Sequence, residues 1–400
     1  MMFSQKLSYM ETLMRRGIQH EAESGKPYFT GYAYESLYDW DQYFEGLVQL
    51  YMGWGTKYLI SAVDIFLDHQ SENGFIPRAI DPPTLHRKDE PTEMVKPFLA
   101  QILLLCLHED GQIDFLKSGD RFDRLTAYLK YWLFDLDKRG AGLSYWRSSP
   151  HTGMDNQRER AGDWGSDFGE GVDLNSYLCR ELRAYSLLCR AIGRVDAAKK
   201  ADKWYEYRKN AVLSACWDET DGFFYDVDAR TGECIKVKSV AGFAPMWAGI
   251  ATKEQAERLV REHLLNPDEF ARPFPVPAYA AGWEGYSAMF LPGDIGCAWR
   301  CNTWIPTNYM VFEGLRLYGY EVEAADLARR TADMVDKAGF REYYASETGE
   351  GCGLDPFWGW SLLAPFMPLE AETGYNPTRL ESFSEENACR VLLKITYDDS

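Results

Sequence analysis

The sequence predicts an all-α fold, an (α/α)6 toroid with long loops forming a cleft at one end. Three observations carry this: helical apolar spacing in segment after segment, a scarcity of strand patterns, and helices paired by short turns with long aromatic loops between the pairs. In chain order, the first signal is YAYESLYDWDQYFEGL (residues 32 to 47), where Trp40 and Asp41 stand at the start of an apolar helix. FLAQILLLCLHED and DRLTAYLKYWLFDLDKR follow, with apolar residues three and four apart, the spacing that gathers them on one helix face. Residues 142 to 172 then break the pattern with Gly, Pro and aromatic residues. VDLNSYLCRELRAYSLLCRAIGR and VDAAKKADKWYEYRKNAVLSACW form the clearest pair, joined at AIGRVDAAKK, and TKEQAERLVREHLL adds a shorter helix. A second long loop covers residues 266 to 303 before TNYMVFEGLRLYGY and EAADLARRTADMVDKA. Loops of this length are functional or disordered, and their aromatic content argues against disorder. No fixed repeat period is present, so a closed ring is favoured over an open solenoid, and one domain can take in residues 1–400. Residues 371–400 read as a C-terminal tail packed on the ring, with ESFSEENACRVLLKITYDDS as a short strand or extended segment.

Composition narrows the function. A net charge of −18 excludes a phosphate-backbone partner, which needs a basic patch, and disfavours an anionic membrane surface. No apolar run approaches the ~20 residues of a membrane span, and MMFSQKLSYMETLMRRGIQH lacks the features of a secretory signal, so a cytoplasmic location is expected. The nine Cys are scattered and form no CxxC pair, which fits reduced thiols. Cys297 and Cys301 could be half of a metal site, but no second half follows; neither metal nor cofactor is expected. With 13 Trp and 25 Tyr, aromatic residues exceed the needs of a core, and flat amphipathic rings suit a small carbohydrate partner.

Four segments concentrate carboxylates with aromatics. In the first, Tyr34, Tyr38 and Trp40 surround Asp41, which could equally be a helix cap. The second, HTGMDNQRERAGDWGSDFGEGVDLNSYLCREL, offers Asp155, Asp163, Asp167, Glu170 and Asp173; Asp173 is placed to cap the next helix, and the residues alone do not say which is catalytic. In the third, CAWRCNTWIPTNYMVFEGL, Arg300 between Trp299 and Trp304 could clamp a hydroxyl or carboxylate group. In the fourth, FREYYASETGEGCGLDPFWGWSLL, Glu342 sits among Tyr343, Tyr344, Trp358 and Trp360, where partial burial would raise its pKa toward base work, while Glu347 and Glu350 fall in an exposed turn.

Taken together these segments resemble the α/α-toroid α-glycosidases of glycoside hydrolase family 63 and its relatives, the mannosylglycerate and glucosylglycerate hydrolases and, more distantly, trehalases. The likeness runs in order through YDWDQYFEGL, TGMDNQR, VDLNSYLCREL, AWRCNTWIPTNYMVFEGLRLYG and FREYYASETGEGCGLDPFWGWSLL, about residues 30 to 370. It implies an inverting, exo-acting α-glycosidase for a small α-glucoside or α-mannoside, with Asp155 as general acid and Glu342 as general base. By the same resemblance Asp41 and Arg300 hold the sugar, and Tyr38, Trp40 and Trp304 shape its subsite. Tyr34, Gln101, Asn156, Trp299, Tyr344 and Trp358 complete the substrate-binding candidates. Two departures from the family pattern, Asn156-Gln157-Arg158 and Arg300-Cys301-Asn302, bear on which sugar and aglycone are accepted.

Competing readings are a cofactor-independent sugar epimerase, a non-catalytic carbohydrate-binding protein and a polyanion lyase. An epimerase would use His as acid and base, and of the six His only His151 lies near Asp155. A binding protein has no need of a spaced acid and base. A lyase needs a basic groove that the charge of −18 does not supply.

Overall fold

The apolar stripes become helices of two kinds, separated by how much of their circumference is buried. This computed structural model describes residues 3–84, 93–111, 113–289 and 297–380. Along it run α1 (Phe3–Met14), α2 (Asp39–Tyr51), α3 (Lys57–Asp68), α4 (Leu99–Asp110), α5 (Arg121–Lys130) and α6 (Val172–Ala191). There follow α7 (Val195–Ala215), the single turn α8 (Ala244–Trp247), α9 (Lys253–Arg258), α10 (Ile305–Leu317), α11 (Glu321–Ala338) and α12 (Met367–Thr373). A 3-10 segment, Trp360–Phe366, leads into α12, and α5 and α9 each widen into a π turn at their ends.

Odd-numbered helices bury one stripe and leave the other face in water. α11, for example, buries Ala324, Leu327, Ala328, Thr331, Met334 and Val335, the three-and-four spacing of a surface helix. Even-numbered helices as far as α10 are buried nearly all round: every residue of α2 is, and so are Leu99 to His108 of α4 and Ile305 to Leu315 of α10. These inner elements touch in a cycle. α2 meets α4, α4 meets α6, α6 meets α8, α8 meets α10, α10 meets the Trp360–Phe366 segment, and that segment returns to α2. The ring therefore closes, and the chain is an (α/α)6 toroid, as the sequence predicts. Strands are short and confined to loops, such as Asn302–Thr303 paired with Tyr343–Ala345.

Aromatic side chains fill the ring axis. Phe98 lies 5.3 Å from Tyr43, 5.2 Å from Tyr177 and 6.1 Å from Trp247, and Arg180 stacks over Trp247 at 4.0 Å. Each such buried ring contributes roughly 1.5–3 kcal/mol. Part of the aromatic surplus is thus core. The rest lines the cleft, because each long loop carries the chain from an outer helix to the start of the next inner one, and these starts converge at one end of the ring. From residue 381 the expected tail lies outside the described residues; before that, Thr378 is buried and its carbonyl accepts from Arg180 at 2.7 Å.

Candidate active site

A cavity of about 480 Å³ opens where the loops converge. Its floor is the first turn of α2, where Trp40 and Asp41 follow the N-cap Tyr38. Asp41 is not a cap: its Oδ1 accepts from the Tyr32 hydroxyl at 3.0 Å, while the neighbouring Asp39 accepts the Trp40 N–H at 2.6 Å. One wall is a stack of rings. Trp299 lies on Trp304 at 3.8 Å, Trp304 lies on Tyr343 at 4.5 Å, and Trp40 tilts against Trp299 at 5.9 Å. Tyr32, Tyr34 and Tyr38 form a second cluster of rings, with Tyr34 exposed.

Asp155 and Glu342 both face this cavity. Burial pushes the Asp155 carboxyl up to about 6, against the opposing pull of Arg78, the Cys297 N–H and Lys96. Glu342 is raised by burial as well, tempered by the Leu354 N–H at 3.2 Å and the Cys297 thiol at 3.4 Å. Asp41 rises to about 7 through burial and the charge of Asp39, with Lys96 acting the other way. Cys297 touches both principal carboxylates, since its N–H also donates to Asp155 Oδ2 at 3.0 Å. Through that single residue the two carboxyl groups lie within about 10 Å of each other.

The Asp155 loop is fastened from behind. Gly153 holds φ at +84°, and a Cβ there would come within 2.8 Å of the Trp40 ring. Asn156 accepts the Trp299 N–H at 2.8 Å, and Gln157 donates to the Trp299 carbonyl at 3.0 Å. Gln157 also accepts from Arg160 at 2.9 Å and from Ser239 at 3.0 Å. Asn302 donates to the Ala298 carbonyl at 2.9 Å. Of the two departures from the family pattern, Gln157 and Asn302 brace the loops; Gln157, Cys301 and Asn302 are buried and absent from the cavity lining, while Arg158 is half-buried and faces a second depression.

Of the residues singled out in the sequence, Asp155, Glu342, Tyr34, Tyr38, Trp40, Asp41, Trp299 and Trp304 come together around the cavity. Others do not. Gln101 points away into the ring interior, accepting from Arg180 at 3.0 Å and donating to the Pro97 carbonyl at 2.8 Å. Asn156 accepts the Trp299 N–H and is absent from the cavity lining. Arg300 pairs with Glu159 at 2.8 Å and lines a separate open depression of about 430 Å³ with Arg158, itself paired to Asp163 at 2.5 Å. Tyr344 is buried with its hydroxyl on the Gly339 carbonyl, and Trp358 donates to the Thr30 carbonyl beneath the first loop. Asp173 is likewise no cap: it follows the start of α6 and accepts from Trp146 at 2.9 Å and Arg160 at 3.0 Å. Glu347 is exposed and paired to Arg272, as the polar turn suggests.

Sequence reasoning missed Tyr32, Asp39, Arg78, Lys96, Cys297 and Trp360 in the lining. Lys96 could have been found, since it stands just ahead of an inner helix as Tyr38 does. Its ammonium sits 3.1 Å from Asp39 and 5.4 Å from the Trp40 ring. Arg78, paired to Glu93 at 3.1 Å, lies on a loop with no helical signal. His151 is fully buried, its Nε2 on the Met94 carbonyl at 2.7 Å and its Nδ1 accepting the Arg147 N–H at 3.2 Å, so it does not reach the cavity.

A closed ring of helix pairs with a half-buried and a buried carboxyl group, Asp155 and Glu342, facing an aromatic cleft is the architecture of a toroid glycosidase. The chain belongs to the family of mannosylglycerate hydrolase MGH1-like glycoside hydrolase domains, whose pattern matches residues 34–361. It is 38% identical to a mannosylglycerate hydrolase of Thermus thermophilus over 190 residues, 48% of this chain and 43% of that one. It is 31% identical to a cytosolic neutral trehalase of Kluyveromyces lactis over 34% of this chain and 18% of that one. The matched stretches thus span less than half the length of these curated relatives. In three dimensions it resembles a family 63 mannosylglycerate hydrolase from a second strain of Thermus thermophilus, solved with Tris and D-glycerate, with a TM-score of 0.71 at 21% identity over 90% of this chain and 99% of that one. The neutral trehalase of Saccharomyces cerevisiae gives 0.64 at 18% identity over 92% and 82%.

Proposed function

We propose that the protein is an inverting exo-acting α-glycosidase that hydrolyses a small α-mannoside or α-glucoside, a glycosylglycerate being the first candidate. The observation that carries this is the pair of desolvated carboxyl groups facing one aromatic-lined cavity, half-buried Asp155 raised to about 6 and buried Glu342 raised by its burial. Asp155 serves as general acid, protonating the glycosidic oxygen as the bond breaks. Glu342 serves as general base, taking a proton from the water that attacks the anomeric carbon from the opposite face. An inverting pair stands about 6.5–9.5 Å apart to admit that water, a spacing compatible with the link through Cys297. Asp41, backed by Tyr32, is set to receive sugar hydroxyls, and the Trp299–Trp304 stack offers an apolar wall to a sugar face. The glycerate candidate draws on the names of the hydrolase relatives and on the D-glycerate bound to one of them. A cytoplasmic setting draws on the cytosolic trehalase relative and on the free state of the eight described cysteines.

A proton NMR time course with mannosylglycerate, glucosylglycerate, kojibiose, nigerose, trehalose and maltose tests the reading. Early release of the β-anomer of the free sugar, abolished in Asp155→Asn, is the expected result. Release of the α-anomer first would reject inversion, and conversion of a sugar to its 2-epimer without cleavage would reject hydrolysis.

A further inference from the structure

Cys297 occupies a position that neither the acid-base pair nor the aromatic walls account for. Its N–H donates to Asp155 at 3.0 Å and its thiol to Glu342 at 3.4 Å, so one residue is bonded to both carboxylates. The segment around it is fixed to the Asp155 loop two residues further on, where the Trp299 N–H donates to Asn156 at 2.8 Å. The intervening Ala298 carbonyl is held by Asn302 at 2.9 Å and by the Trp304 indole at 3.2 Å. Alternate residues of one loop are thus laced to successive residues of the other. Cys297 cannot shift without disturbing an acid on one side and a base on the other.

We propose that Cys297 is a positioning residue that fixes Asp155 and Glu342 relative to one another, its main chain holding the first and its thiol the second. This rests on the acid and base roles given above. The thiol is suited to steering, not to nucleophilic attack: burial and the negative charges of Asp155 and Glu342 push its ionisation far up, so it stays an S–H donor. As a weak donor it orients the Glu342 carboxylate without neutralising it, leaving the group able to take a proton from water. The second restraint on Glu342 is the Leu354 N–H, which belongs to the same C-terminal loop and carries no information about Asp155. Among the described residues, the other titratable groups facing Glu342 are Tyr32 and Tyr34 from the first loop and Tyr343 beside it in the chain, and Asp41 lines the same cavity.

The test is the pH profile of kcat/KM for the parent, Cys297→Ala and Cys297→Ser with mannosylglycerate and glucosylglycerate, run beside Asp155→Asn and Glu342→Gln. Loss of the thiol removes a donor that favours the ionised base, so Glu342 holds its proton to higher pH. In Cys297→Ala the acidic limb should move up by about 0.5–1 unit, a three- to ten-fold loss of kcat/KM at a fixed pH on that limb, with kcat falling more than KM rises. Cys297→Ser, which keeps an O–H donor, should restore most of the limb. Superimposable limbs in all three proteins, with both carboxylate variants inactive, would overturn the role of Cys297 and leave the acid-base pair standing. Undiminished turnover in Glu342→Gln would instead remove the pair itself and the inference with it.

Discussion

Arg160 grips Asp226 along one edge of its guanidinium, Nε to Oδ2 at 2.6 Å and Nη2 to Oδ1 at 3.1 Å, directly behind the loop that carries Asp155. The same guanidinium reaches Asp173 at 3.0 Å and Gln157 at 2.9 Å, and all three charged groups are buried. Removing the cation would leave two carboxylates unpaired in the interior. Arg160→Leu should therefore cost about 3–5 kcal/mol, read as a lower denaturant midpoint. A change below about 1 kcal/mol would mean that the network relaxes without its centre.

The pH dependence of turnover follows from the acid. Asp155 must carry its proton to donate it, and burial raises its pKa to about 6, so kcat/KM should fall as the pH rises through about 6. The ionised fraction of Glu342 sets the opposite limb, giving a bell. Asp155→Asn should lower kcat by roughly 10²–10⁴-fold at the parent's optimum. A flat profile from pH 5 to 8 would exclude Asp155 as the titrating acid.

Lys96 is a second control on the same groups. Burial raises both Asp41 and Asp155, and the Lys96 charge opposes the rise in each. Its ammonium is also the partner of buried Asp39 at 3.1 Å. Lys96→Met should move the alkaline limb of kcat/KM to higher pH and destabilise the fold by about 3 kcal/mol or more, because Asp39 loses its counter-ion. Denaturation and rate measurements on one preparation separate the two effects.

His151 supplies a stability prediction with a definite sign. Its ring stacks on Trp132 at 5.6 Å and meets Trp146 edge-on at 4.9 Å, and burial holds its pKa well below 6.5. The folded protein keeps His151 neutral where the unfolded chain protonates it. Its contribution is thus complete above about pH 6.5 and is lost as the pH falls below that, by about 1.4 kcal/mol per unit. Comparing parent and His151→Gln by urea denaturation at pH 7.5, 6.5 and 5.5 isolates the term, since the raised carboxylates are common to both. The gap between the two proteins should narrow with acid; a constant gap would deny the linkage.

The ring of helices was legible because burial on one face imposes a period that survives in the sequence, as in the outer helices α7 and α11. α1 keeps the three-and-four spacing at Leu7, Met10 and Met14, but over little more than two turns amid mostly polar residues, so its signal is weak. α8 is one turn long and cannot show a period. In the site, carboxylates and aromatics clustered along the chain were found. Arg78 and Lys96 were not, because each is brought in by a loop from elsewhere and its value lies in what it faces. Arg300 misled for the converse reason: sequence adjacency to Trp299 says nothing about direction, and the guanidinium turns to Glu159 while the indole turns to the cavity.

Gly153 explains why the chain interrupts its helices at His151-Thr152-Gly153-Met154-Asp155. The preceding turn, Ser149–Thr152, ends at Gly153 with φ at +84°, which lets the backbone reverse and present Asp155 two residues later. The same absence of a side chain admits the Trp40 ring and the Lys96 stem, since a Cβ would lie 2.8 Å from Trp40 Cζ2 and 3.2 Å from Lys96 Cε. Gly153→Ala therefore combines a disfavoured backbone angle with a clash against a cavity wall, costing about 1–3 kcal/mol of stability. Because relief comes most easily by moving Trp40 or Asp155, activity should suffer more than the fold, with kcat/KM down by about tenfold or more while the protein still unfolds cooperatively. Equal activity with lowered stability would mean that the strain is absorbed in the turn before Gly153 and never reaches the acid.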